Sequence, residues 1–247
     1  MNVVFDFTGR VVLVTGATGG IGRAIAHVFS DSGADLLLAD IAENQLDELV
    51  AELRGVGKVL THRYDATDPD AASRLAEHAD VAFGGIDILV PAAGIYPTDP
   101  VAEMDAVVLD RVLQINLTSV AMLIRQCIPL LRTNSSIVTL SSVAAHRGSV
   151  NHAHYAMSKA GVLALSRSLA GELAPRTRVN AVSPGTIDTP MARPNIKAMG
   201  DRILAATPQN RFGAAEEVAA TVAFLSSDGG GFIDGENIHI NGGWYIG

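Results

Sequence analysis

The residues best equipped for chemistry lie between positions 142 and 159. Tyr155 and Lys159 are four apart, so on a helix they share one face, one turn from each other. A free tyrosine titrates near pH 10, too high for a base at neutrality. A neighbouring ammonium favours the phenolate and lowers that pKa. The spacing therefore predicts proton transfer through Tyr155, with Lys159 pulling its pKa down; a shift of about three units corresponds to about 4 kcal/mol. Ser142 closes an apolar run just upstream, where its hydroxyl can donate to an oxygen that gains charge during a reaction. His146, His152 and His154 crowd the same stretch, "HRGSVNHAH". They lack a third ligand of clear spacing, so no metal site is expected. They read as loop residues at a pocket rim, with His146 and His152 as candidate substrate contacts.

A second constellation opens the chain. "TGATGGIG" runs from Thr15 to Gly22, after an apolar run and at the start of a helical pattern. Gly16, Gly20 and Gly22, with Ile21 between the last two, let the backbone turn sharply and approach a ligand closely. The helix behind them offers unpaired N–H groups and a positive dipole end, which suits a pyrophosphate. Asp40 ends the next apolar run, where a carboxylate can accept from both ribose hydroxyls of an adenosine. It repels a 2′-phosphate by about 1 kcal/mol at 4 Å in water and about 4 kcal/mol at an effective dielectric of 20. With Gly19 and Ile41 nearby in place of basic side chains, NAD is expected over NADP.

The elements that must position these groups follow from periodicity. Short apolar runs at 10–16, 34–40, 58–65, 87–94, 136–141, 178–183 and 236–241 read as strands. Helical patterns at 19–33, 43–54, 69–83, 100–131 (broken near its start), 153–174 and 214–226 lie between them, and 186–212 reads as irregular. Apolar strands alternating with helices predict an α/β fold: one doubly wound parallel sheet, Rossmann-type, with helices on both faces. No linker or composition shift divides the chain, so residues 1–247 read as a single domain. Two helical patterns, "VLQINLTSVAMLIRQCIPLL" and "YAMSKAGVLALSRSLAGEL", are apolar or small almost all round. A helix covering one sheet face needs only one apolar stripe, so association into a dimer or tetramer is expected.

Composition narrows the partners. The net charge of −8 and the absence of any Lys/Arg run exclude a broad nucleic-acid footprint. No run is read as a membrane span or a signal peptide. Cys127 is the only cysteine, which precludes an intrachain disulfide and suits the cytoplasm; it reads as core packing.

Taken together, Thr15-Gly16-xxx-Gly20-x-Gly22, Asn116, Ser142, Tyr155-xxx-Lys159 and Pro184-Gly185 resemble the classical short-chain dehydrogenases/reductases, in order and over the whole chain. The resemblance implies reversible hydride transfer between a nicotinamide cofactor and an alcohol/ketone pair. It implies that Asn116 completes a proton relay through water behind Lys159, and an adenine contact at Asp65. Ile187 and Thr189, after Pro184-Gly185, would hold the nicotinamide end. The family pattern Asn-Asn-Ala-Gly is here Pro91-Ala92-Ala93-Gly94. Ala93 and Gly94 still permit close cofactor approach, but the two lost amides and the missing donor of Pro91 imply weaker cofactor binding. Tyr96 joins His146 and His152 in framing a pocket for a small polar alcohol or ketone, polyol-like in kind. The alternatives are a 3-oxoacyl thioester (acyl-carrier-protein) reductase and, remotely, a nucleotide-binding regulator without turnover.

Overall fold

The run VVLVT at Val11–Thr15 is wholly buried as β1, and the two faces of the sheet divide its side chains. Val12 and Val14 pack into one apolar layer, Leu13 into the other. Leu36 and Leu38 against Leu37, in β2 (Asp35–Asp40), divide the same way, as do Ile88 and Val90 against Ile86 and Leu89 in β4 (Ile86–Pro91). An unbroken apolar run is thus a strand covered on both sides. The computed structural model describes residues 5–247. Its seven strands form one parallel sheet in the order β3-β2-β1-β4-β5-β6-β7, completed by β3 (Val59–Arg63), β5 (Leu131–Leu140), β6 (Thr177–Pro184) and β7 (Asn237–Ile240). Helices α1 (Gly20–Asp31), α2 (Glu43–Glu52) and α9 (Ala215–Ser226) fill one face. Helices α3 (Ala71–Phe83), α5 (Ser119–Cys127) and α7 (Ala153–Leu173) fill the other. Strand order reverses between β1 and β4, so the crevice beyond their carboxyl ends is where such a sheet binds ligands.

Three elements depart from expectation. The stretch expected as a helix over 100–131, broken near its start, is a 3-10 turn at Val101–Glu103, α4 (Ala106–Leu113), a wider π turn at Gln114–Thr118, α5, and a 3-10 turn at Ile128–Leu130. From Ala106 to Leu130 it is long and apolar enough to cross a membrane by length and composition, contrary to the expectation that no run reaches that. Its apolar side is taken by the fold: Val120, Leu123, Ile124 and Cys127 are buried in the second layer, and burial pushes the Cys127 thiol up to about 12. Strand β5 begins at Leu131, five residues early, because an irregularity against β4 and the left-handed Asn134 (φ 63°) interrupt its apolar pattern. Within the span read as irregular, Arg193–Ala206 forms helix α8. Pro194 sits in its first turn, where the missing N–H costs nothing.

Candidate active site

The glycine loop is held by contacts no larger residue would permit. Gly16 is left-handed (φ 66°), and a Cβ there would lie 2.7 Å from the Ala93 backbone. On Gly22 it would lie 2.0 Å from the Gly16 carbonyl oxygen. On Gly20 it would lie 2.5 Å from the Thr189 side chain, so the loop after β6 rests on the loop after β1. Helix α1 starts at Gly20 with no side-chain cap, which leaves N–H groups of its first turn for an anionic ligand. Ile21 anchors that turn in the core. The Asp40 carboxylate accepts from Thr18 N and Ala42 N, both at 3.1 Å, and is fixed beside the loop with lone pairs to spare. Asp65 instead closes its own turn, accepting from Thr67 N at 2.9 Å and Thr67 Oγ1 at 2.7 Å. Thr15 ends β1; its carbonyl accepts from Ala92 N at 3.2 Å and its Oγ1 from Ala93 N at 3.5 Å. These residues fit a dinucleotide: an uncapped helix end, a fixed carboxylate, and a tight turn that only glycines allow.

Pro91 stays within β4, paired with Thr15 of β1. On the other side the β4–β5 register ends at Leu89↔Ile137, while β5–β6 continues to Leu140. A proline contributes no donor to that ladder, so the sheet opens earlier at this point of the crevice.

The chemical groups meet at the carboxyl ends of β4 and β5. Ser142 follows β5 and accepts at 3.1 Å from Ala144 N, at the start of the short helix α6 (Ala144–Arg147). Tyr155 and Lys159 project from the first turns of α7, and the Lys159 amino group lies 5.7 Å from the Tyr155 ring centroid. That amino group donates to the Leu140 carbonyl at 2.8 Å. Asn116 sits in the π turn, fully buried. Its Oδ1 accepts from Ile95 N at 2.8 Å, and its Nδ2 donates to Ile95 O at 3.0 Å and Ser158 Oγ at 3.2 Å. Its amide hydrogens are thereby spent on the loop after β4 and on α7, and among the described residues no bond joins it to Lys159. A Cβ on Gly94 would sit 3.3 Å from Asn116 Oδ1 and 3.8 Å from Lys159 Nζ. Ser158 and the Leu140 carbonyl are the groups sequence reading missed. The first stands inside "YAMSK"; the second is main chain and leaves no trace in residue type.

The electrostatics correct one expectation. The Tyr155 phenol is pushed up to about 12, not down, chiefly by burial, with Tyr96 adding and the Ser142 hydrogen bond opposing. Burial likewise lowers the Lys159 amine to about 8. Lys159 is buried and Tyr155 partly so, and desolvation of the charged form is the largest cause of each shift.

Around this centre the rim residues separate. Tyr96 stacks face to face on His152 at 4.0 Å with an interplanar angle of 2° and meets Tyr155 edge-on at 4.6 Å. His146 joins a different cluster: it contacts Ser183 Oγ and Asn237 Nδ2 at 3.3 Å and stacks against Tyr245. His154 is fully buried, its Nδ1 accepting from Tyr155 N at 2.7 Å. Pro184 ends β6, and Gly185 N donates to Ile240 O at 2.9 Å, which carries the next residues back over the crevice. There Ile187 and Thr189 are buried, and Thr189 Oγ1 donates to Ile187 O at 3.4 Å. No group of three or more His, Cys, Asp or Glu side chains able to hold a metal occurs among the described residues.

Known proteins share this arrangement. The family model described as enoyl-(acyl carrier protein) reductase matches residues 16–245. A 3-oxoacyl-[acyl-carrier-protein] reductase FabG of Thermotoga maritima is 38% identical over 96% of this chain and 98% of its own. A cis-4-hydroxycyclohexanecarboxylate dehydrogenase of Sinomonas cyclohexanicum is 37% identical over 96% of this chain and 97% of its own. The crystal structure of a short-chain dehydrogenase/reductase of Brucella melitensis, titled glucose/ribitol dehydrogenase, superposes with a TM-score of 0.97. It is 44% identical and covers 99% of this chain and 100% of that one. With the glycine loop, Ser142, Tyr155 and Lys159 at one end of a seven-stranded parallel sheet, the chain belongs to the short-chain dehydrogenases/reductases, nicotinamide-dependent oxidoreductases.

Proposed function

We propose that this chain is an NAD-dependent oxidoreductase that moves a hydride reversibly between nicotinamide and a small polar secondary alcohol or ketone. The observation that carries the cofactor preference is Asp40, fixed by Thr18 N and Ala42 N where a 2′-phosphate would have to lie. The bound nicotinamide supplies the hydride donor and acceptor. The chain's own residues do the rest: Tyr155 gives the proton to the carbonyl oxygen or takes it from the alcohol, Ser142 donates to that same oxygen, and Lys159 carries positive charge into a dry site. The Asp40→Ala variant is expected to lose NAD preference by about tenfold or more in the NAD/NADP ratio of kcat/KM, from the roughly 1–4 kcal/mol of repulsion removed. An unchanged ratio overturns the assignment.

The second reading, a 3-oxoacyl-[acyl-carrier-protein] reductase, is favoured by the FabG relatives at 37–38% identity. An assay of NADPH-dependent reduction of an acetoacetyl thioester, beside NAD-dependent oxidation of polyols and cyclic hydroxy acids, separates the two. The negative net charge and Asp40 support the second substrate set.

Met122 of α5 and Met157 of α7 are exposed on helices that also bury apolar residues inward. A dimer or tetramer covering these faces accounts for them, and a monomer by sedimentation at micromolar concentration overturns it. The lone buried thiol suits the cytoplasm.

A further inference from the structure

His152 lies one ring removed from Tyr155, behind Tyr96, without a nitrogen to spare. Its Nδ1 lies 2.7 Å from the Val150 carbonyl, which only accepts, so Nδ1 carries the hydrogen. The neutral ring then presents Nε2 as an acceptor, and the Thr98 hydroxyl lies 3.1 Å from it. The side chain is buried within the protein at 7% exposure. What remains available is the ring face, and Tyr96 covers it in parallel contact.

Tyr96 is held at its hydroxyl, at its ring and through its chain neighbours. Its hydroxyl pairs with Ser149 Oγ at 3.0 Å, and its ring edge meets the Tyr155 ring. The preceding residue, Ile95, has its N–H and carbonyl both clamped by the Asn116 amide. The following residues are strapped to the loop before α7 by Thr98–His152 and by Asp99 N donating to Asn151 O at 2.8 Å. Asn151 takes a left-handed conformation (φ 62°) to turn that carbonyl outward. The loop after β4 and the loop before α7 are thus joined by an aromatic clasp that ends on the proton-transferring phenol.

We propose that His152 and Tyr96 are positioning residues: His152, locked in one tautomer, holds the Tyr96 ring against Tyr155, fixes the phenol's orientation and shields it from water, and does not itself bind substrate. This rests on the reading of Tyr155 as the proton-transferring group. It assigns His152 a role that its position in the rim alone would give to substrate contact. A small displacement of a reacting group costs turnover far more than binding, and water admitted beside Tyr155 relieves the burial that holds its pKa high.

Two measurements test it. The first uses ligand-free protein: ultraviolet titration of tyrosine, with Tyr155→Phe subtracted so that only the Tyr155 phenol is read. Tyr96→Ala and His152→Ala are expected to shift that titration down by about one pH unit or more. An unshifted titration in both, with melting temperature retained, overturns the clasp whatever the substrate proves to be. The second is steady-state kinetics of the cofactor-loaded enzyme with the best alcohol from the NAD screen. In His152→Ala and Tyr96→Ala, kcat is expected to fall about tenfold or more while KM changes less than about threefold. Tyr96→Phe and His152→Phe, which keep the stacked rings, recover most of the loss. A KM raised about tenfold at unchanged kcat in His152→Ala shows direct substrate contact and overturns the proposal. Absence of turnover with every alcohol and thioester counts against the proposed function alone, because the titration still decides the clasp.

Discussion

Replacing Lys159 by methionine is expected to raise the melting temperature at pH 7 while removing turnover. Lys159 is 6% exposed, and burial lowers its amine from 10.5 to about 8. Between those values the unfolded chain binds the proton that the folded chain has released. The charged amine therefore costs folding stability fully below pH 8, and the cost fades as pH rises toward 10.5. At neutrality that cost is about 3 kcal/mol, offset by about 1 kcal/mol from the bond to the Leu140 carbonyl. Methionine is an unbranched, adaptable side chain that takes the buried position without a charge. The net gain of about 2 kcal/mol corresponds to a rise of about 4–8 °C for a chain of this size. Calorimetry at pH 7 and again above pH 10 checks it, since the advantage should vanish at the higher pH. A melting temperature lowered at pH 7 would show that the fold needs the ammonium. Turnover should fall by about a thousandfold, in line with loss of a charge held in a low-dielectric site.

Tyr155→Phe is expected to lower turnover by about a thousandfold in both directions, about 4 kcal/mol of barrier, with cofactor affinity changed less than about twofold. The ring, its edge contact with Tyr96 and the helix geometry all persist in phenylalanine; only the hydroxyl is lost. With the phenol pushed up to about 12, the proposed proton transfer predicts that carbonyl reduction needs no deprotonation of Tyr155 at neutrality. Alcohol oxidation needs the phenolate and should climb with pH, because the phenolate fraction rises about tenfold per pH unit below the pKa. A variant retaining more than about one tenth of wild-type turnover removes Tyr155 from the proton transfer.

These two groups also mark how far the sequence could be read. The four-residue spacing placed Tyr155 and Lys159 on one helix face, and the glycine spacing placed a tight turn ahead of a helix; both are local properties of a few consecutive residues. The alternation of apolar runs and helical patterns was sufficient for the sheet, since a strand covered on both faces has to be apolar throughout. The π turn at Gln114–Thr118 was not legible, because an extra residue in one turn shifts the helix face and breaks the period on which reading depends. Helix α8 was hidden by Pro194 and Gly200, whose usual signal is a loop.

What chain order alone determined was the class of chemistry: a glycine turn ahead of a helix, a carboxylate at the end of the next strand and a tyrosine beside a lysine, each set by residue types at short spacing. Tertiary structure decided how those groups behave. Burial reverses the direction of the Tyr155 shift, the Leu140 and Val150 carbonyls take up Lys159 and His152, and Asn116 is spent on Ile95. Desolvation and main-chain partners depend on what the fold brings close in space, and neither is written in the residue types along the chain.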